Sequence, residues 1–283
     1  MLKFTKMTGL GNDYIYVDCT NGTKFRNIPE MAKKLSNRHF GVGSDGLILI
    51  DKPDNEQSDF KMRIFNSDGS EAEMCGNGIR CMAKYIHDNG LSRKDKISID
   101  TIAGIKKVKI LEDDDGECNE AIVDMGEPIF QGNNIPYNIY EPFNKELDLD
   151  VNDEKMRFTV VSMGNPHAVT FVENVDTIPI EKLGPIVENN PIFPNKTNVE
   201  FVQIIDKNNL KIRVWERGVG ETYACGTGAC AAVVAGGING YTGEDVTVSL
   251  PGGKLDIEWG KDNHIYMRGP ATTVYEGRIN ERL

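Results

Sequence analysis

Two short stretches hold reactive side chains in a setting that would put them to work. "MCGNGIRC" at 74–81 and "ACGTGAC" at 224–230 each place a cysteine, Cys75 or Cys225, directly before a Gly-x-Gly that opens a helical pattern. Glycines after a cysteine at a helix start bring backbone N–H groups and the positive end of the helix dipole onto the sulfur. That setting stabilises a thiolate and lowers a pKa that is about 8.5 in free cysteine. The N–H groups of Gly76, Asn77, Gly226 and Thr227 would also hold a carboxylate and stabilise charge spreading onto it. A single turn of this kind reads most simply as a buried cysteine at a tight helix start. Two of them suit a two-base stereoinversion, in which one thiolate takes a proton from a carbon beside a carboxylate and the opposite thiol delivers one to the other face. Such a pair needs unequal protonation states, and its titrations are coupled.

The surroundings of the two cysteines repeat as well. Arg63 and Arg213 stand twelve residues upstream, Phe65 and Trp215 ten upstream, and Glu71 and Glu221 four upstream. Both helical patterns end in Asn-Gly, at 89–90 and 239–240, and "GNDYIYV" at 11–17 answers "GNPHAVTFV" at 164–172, with Asn12 and Asn165 in matching turns. This ordered series predicts a duplicated domain whose copies face each other across a cleft.

The elements that must position these turns are mostly strands. The first twenty residues predict an edge hairpin, and "PEMAKKLSNRHFG" a helix using Met31, Leu35 and Phe40. "GLILID" and "FKMRIFNSDG" read as strands, "GNGIRCMAKYIHDNG" as a helix, and 96–126 as two or three strands around the solvated tip "EDDDGE". The pattern then restarts. Strands follow at 156–175, 197–206 and 210–221, then the helix "GTGACAAVVAGGING", a hairpin and one final strand. Residues 132–155 break the periodicity and read as a connection or an exposed insertion.

Bulk properties narrow the function. At 283 residues the chain suits two domains of roughly 100–150 residues each. A net charge of −11 argues against nucleic acid, which needs a basic surface. No export-type leader and no run of about 18 apolar residues stands in the sequence, so the expectation is a cytoplasmic protein with no membrane partner. That setting argues against disulfides among the six cysteines. The sequence has no Cys-x-x-Cys pair, and its four histidines are scattered, so no metal site is expected.

Over essentially its whole length, including the blocks around "MCGNG", shared in looser form with proline racemases, and the highly specific "ERGVGETYACGTG", the chain resembles diaminopimelate epimerases. The resemblance implies an α/β (α+β) fold of two pseudo-symmetric domains, each a mixed sheet around a central helix. Residues 1–125 plus 270–283 would form the domain carrying Cys75 and residues 126–269 the domain carrying Cys225, with the active site in the cleft. It implies a homodimeric, cofactor-independent isomerase that interconverts L,L- and meso-diaminopimelate for lysine and peptidoglycan precursors, with Cys75 and Cys225 as its acid–base pair. It further implies Asn12, Asn66, Asn165, Asn198, Glu216 and Arg217 as substrate-binding residues, and His167 and Glu216 as groups that tune the thiols. In the family Cys225 would be the base in the L,L direction and Cys75 the donor. The chain departs from the resemblance in "GVGSDGL", where Gly46 stands in place of a frequent glutamine.

Other readings compete with these. Asparagine after glycine often serves a left-handed turn, and a Glu-Arg pair is often a surface ion pair of little consequence. Cys19, Cys81, Cys118 and Cys230 read as structural. A proline or hydroxyproline epimerase would leave Arg217 and the four asparagines surplus, and a phenazine-pathway isomerase would lack the cysteine pair. Two facing thiols could also oxidise as a redox switch, and a non-catalytic amino-acid-binding protein is the remaining class.

Overall fold

The computed structural model describes residues 1–130 and 146–280, and the chain forms two compact units, residues 1–124 with 268–283 and residues 125–267. Residues 131–145 of the expected irregular connection lie outside the described residues. The first unit begins with β1 (Leu2–Gly9), β2 (Asn12–Asp18), α1 (Ile28–Ser36), β3 (Gly46–Asp51) and β4 (Phe60–Asn66). It continues with β5 (Glu71–Ala72), α2 (Gly76–Asp88), β6 (Lys96–Asp100), β7 (Lys106–Glu112) and β8 (Cys118–Gly126). The second has β9 (Leu147–Val151), β10 (Glu154–Ser162), β11 (Pro166–Phe171), α3 (Ile180–Glu188), β12 (Asn198–Asp206) and β13 (Asn209–Glu216). After these come β14 (Gly220–Thr222), α4 (Gly226–Ile238), β15 (Asp245–Leu250), β16 (Gly253–Trp259) and β17 (Ile265–Pro270). The last strand, β18 (Thr272–Ile279), pairs antiparallel with β1.

The fold is a mixed, sheet-dominated α+β architecture with few helices. In the first unit β1–β2 is antiparallel, β2–β3 parallel, β3–β4 antiparallel, β4–β6 parallel and β6–β7 antiparallel. In the second the same succession runs β10–β11, β11–β12, β12–β13, β13–β15 and β15–β16. Each parallel step needs a crossover, and a helix supplies it: α1 and α2 in one unit, α3 and α4 in the other. The repeated charges find repeated partners. Arg63 Nε lies 2.8 Å from Glu71 Oε1, and Arg213 Nε lies 2.7 Å from Glu221 Oε1.

The two glycine-opened helices are buried on nearly every side. In α4 the run Ala229–Ala235 is apolar all round and lies against β10, β11, β12, β13, β15 and β16. Its two valines, fully buried, contribute about 1.5–3 kcal/mol each. In α2 two cations are buried with the apolar residues, and their charges are met. Arg80 donates to Gly76 O, Asn77 Oδ1 and Pro270 O, and Lys84 donates to Cys118 O and pairs with Asp88.

Four expectations change. The opening hairpin is interior, because β1 pairs with β18 and β2 with β3. The first helix stops at Ser36 and Phe40 is 92% exposed. Asn37 Oδ1 takes the N–H groups of His39 and Phe40 instead, the local bonding by which asparagine competes with a helix. Helix α3 stands in a stretch to which the sequence reading assigns no element; a Cβ on its Gly184 would stand 2.5 Å from Trp215 Cγ, so the glycine admits the indole. Residues 147–155 are ordered as β9 and the start of β10. The segment expected to be one final strand is two, β17 and β18.

Candidate functional site

In the first unit Cys75 is the N-cap of α2, and its sulfur accepts from Gly78 N at 3.3 Å. Asn12, at the start of β2, stands beside it, and the thiol donates to Asn12 Oδ1 at 3.3 Å. The other end of that amide is fixed, for Asn12 Nδ2 donates to Asp45 Oδ2 at 2.8 Å. Asp45 also accepts from Asp13 N at 2.9 Å and from Arg38 at 2.9 Å. Two residues along β2, the buried Tyr14 hydroxyl meets both Cys75 and Asn12. Burial first, then the charge of Cys75, raise that phenol well above its ordinary value, so it stays protonated.

In the second unit Cys225 is the N-cap of α4, accepting from Gly228 N at 3.4 Å, with Thr227 Oγ1 at 3.5 Å. Asn165 Nδ2 donates to Thr227 Oγ1 at 3.3 Å, and Asn165 Oδ1 lies 3.0 Å from His167 Nε2. His167 is fully buried and its Nδ1 lies 2.7 Å from Glu200 Oε1. Glu200 is buried too, and its second oxygen has no partner among the described atoms. Burial pushes the Glu200 carboxyl up, while His167 opposes the shift.

The helix start does not lower the Cys225 thiol as expected. Burial, then the Glu216 and Glu200 carboxyls, push it well above the ordinary range, outweighing the bonds from Thr227 and Gly228. A thiolate formed there would be a stronger base than a free one.

The remaining expected residues each have partners of their own. Glu216 ends β13, where its carboxylate accepts from Thr222 Oγ1 at 2.5 Å. Asn198 spends its amide on backbone, donating to Pro166 O and accepting from Arg217 N. The Arg217 side chain is at the surface, 3.4 Å from Asn195 O. Asn66 bonds Ser70 rather than a cysteine, and Asn77 Oδ1 accepts from Arg80. Gly76 and Gly226 begin the two helices. Asp45, Tyr14 and Glu200 had not been singled out; the paired placement of Tyr14 and His167, each two residues after its asparagine, was the available signal.

The second glycine of each Cys-Gly-x-Gly has the same cause in both units. A Cβ on Gly78 would stand 2.7 Å from Ile48 Cδ1, and one on Gly228 would stand 2.9 Å from Glu200 Oε1. Ile48 pairs with Tyr16 and Glu200 with Val169, equivalent positions of the two sheets. An apolar side chain thus underlies one thiol and a carboxyl the other.

Gly46 is required rather than merely vacant of a glutamine. A Cβ there would stand 2.3 Å from Phe65 O and 2.8 Å from the Tyr14 ring. Gly46→Gln is expected to cost about 1–3 kcal/mol in urea denaturation, the usual cost of overpacking, without tightening substrate binding. An unchanged midpoint would show that the strands give way.

The sequence pattern of the family described as diaminopimelate epimerase matches residues 4–131 and 159–274. A diaminopimelate epimerase of Acetivibrio thermocellus is 54% identical over 280 residues, covering 99% of each chain. This chain belongs to the diaminopimelate epimerase family. Like other members of that family it is an isomerase. The fold reaches wider than the family does. A Bacillus anthracis phenazine biosynthesis protein of the PhzF family superposes with a TM-score of 0.70 at 18% identity, covering 98% of each chain. A hydroxyproline epimerase of Agrobacterium vitis superposes with a TM-score of 0.68 at 12% identity, covering 98% of this chain and 91% of that one.

Proposed function

We propose that the chain interconverts L,L- and meso-diaminopimelate without a cofactor, each unit supplying one thiol of the acid–base pair. The observation that carries this reading is the repeated construction at Cys75 and Cys225, each a helix-capping thiol with an asparagine-centred polar chain leading to it. In the L,L direction the Cys225 thiolate removes the α-proton and Cys75 delivers one to the opposite face. The α-carboxylate lies on the N–H groups of Gly76, Asn77, Gly226 and Thr227, which stabilise the charge that spreads onto it as the C–H bond breaks. The distal amino-acid group is gripped by asparagine amides and by the Arg217 guanidinium, whose planar fork suits a carboxylate. Asn198 contributes by holding the Arg217 backbone. As the resemblance implies, the enzyme works as a cytoplasmic homodimer in lysine and peptidoglycan precursor synthesis.

The test is exchange in D₂O. L,L-diaminopimelate should gain deuterium at one α-carbon and yield the meso isomer with no added pyridoxal phosphate or metal. Exchange into proline with none into either diaminopimelate isomer would assign the site to a cyclic imino acid instead.

A further inference from the structure

We propose that Asp45, which touches no reacting atom, is the positioning residue that keeps the proton on Cys75 and so makes it the donor thiol. The inference rests on the reading of Cys75 as one of the two acid–base groups.

An asparagine amide is two-ended, and what it offers to a neighbour depends on which end is held. Asp45 already receives the Asp13 N–H and the Arg38 guanidinium, so it acts as an acceptor. Only the N–H end of Asn12 can bond to it, and the carbonyl end is turned onto Cys75. A thiol can donate to that oxygen, whereas a thiolate would face it with no proton between them. Asp45 is itself held at both backbone ends, its N–H donating to Asp13 O and its carbonyl accepting from Ser67 N, so its carboxylate has little freedom to turn away.

The second unit lacks this lock. Asn165 is backed by His167, a ring that either donates or accepts at Nε2, and its far end meets the Thr227 hydroxyl, which also does either. With the Asn165 N–H on Thr227, the single hydroxyl proton is left to point at Cys225, a bond that favours the thiolate but is outweighed there by burial and the Glu216 and Glu200 carboxyls. One asparagine chain is therefore fixed in direction and the other reversible.

The measurement is the pH dependence of iodoacetamide alkylation, read separately at Cys75 and Cys225 by peptide mass spectrometry. It needs no substrate, so it is decided whether or not diaminopimelate turns over. Among the groups facing Cys75 are the Tyr14 and Tyr16 hydroxyls of β2, Cys81 of α2, and Asn12 with Asp45 behind it. In Asp45→Asn the amide of Asn12 is released to turn its N–H onto the sulfur. The Cys75 profile should then move down by about one pH unit, roughly tenfold faster alkylation near pH 7, with Cys225 unmoved. In an Asn12→Ala background the same substitution should add no further shift. An unmoved Cys75 profile overturns the proposal, and so does an equal shift without Asn12, which would make Asp45 a bare charge. Should Asp45→Asn fail to fold, the parent's S–H stretching band, assigned by its loss in Cys75→Ser, decides the matter. A band lowered in frequency by donation to Asn12 Oδ1, and restored towards the free-thiol position in Asn12→Ala, supports the proposal; absence of the band, or a band that Asn12→Ala leaves unmoved, overturns it.

Discussion

Cys75→Ala and Cys225→Ala should each lower kcat for epimerisation by about 10²–10⁴-fold, the range that a positioned acid or base contributes. Inversion needs both groups, so the double variant should be no slower than the worse of the singles. The two half-reactions separate the roles. Without Cys75, the base at Cys225 can still take the α-proton of the L,L isomer and return a solvent deuteron to the same face, so exchange should outlast inversion. Folding has to be checked alongside, because each sulfur also caps a helix. Alanine removes that cap at a cost of about 1 kcal/mol, while serine keeps an acceptor at the same place. A single alanine variant epimerising at the parent rate, with circular dichroism unchanged, would end the two-thiol reading.

Much of this arrangement is legible in the sequence because duplication marks it. The repeat around Cys75 and Cys225 located α2 and α4, and the matched Arg63–Glu71 and Arg213–Glu221 pairs have the same geometry in both units. What was missed lies where tertiary packing overrides a local signal. Helix α3 stands where the sequence reading assigns no element, and its Gly184 is required by the Trp215 indole packed on it. Glu200 lies in Asn198–Val202, a run buried on both faces, where alternation does not tell an inward side chain from an outward one. Cys225 shows the same limit in its chemistry. A helix start read alone promises a lowered thiol, and only the structure adds the burial and carboxyls that reverse it.

The buried Glu200–His167 pair makes the second large effect one of stability. His167→Leu would leave the Glu200 carboxyl buried without its imidazole partner, and breaking such a pair from one side costs about 3–5 kcal/mol. The pH dependence follows from the sign of the shift. Burial raises the folded-state pKa of Glu200 above its value in the unfolded chain, so the native state prefers the protonated form. The variant should therefore be least impaired below the unfolded pKa of about 4.3, where both states carry the proton, and should lose stability as pH rises through the raised folded value. Removing the second partner should undo most of the damage, since apolar replacement of a whole buried pair is often neutral or stabilising. His167→Leu with Glu200→Leu should thus regain most of the loss at neutral pH in a urea-denaturation cycle, although activity would not return with it. If the double variant is no more stable than His167→Leu alone, the cost lies in the shape of the imidazole, and the buried carboxyl is not its source.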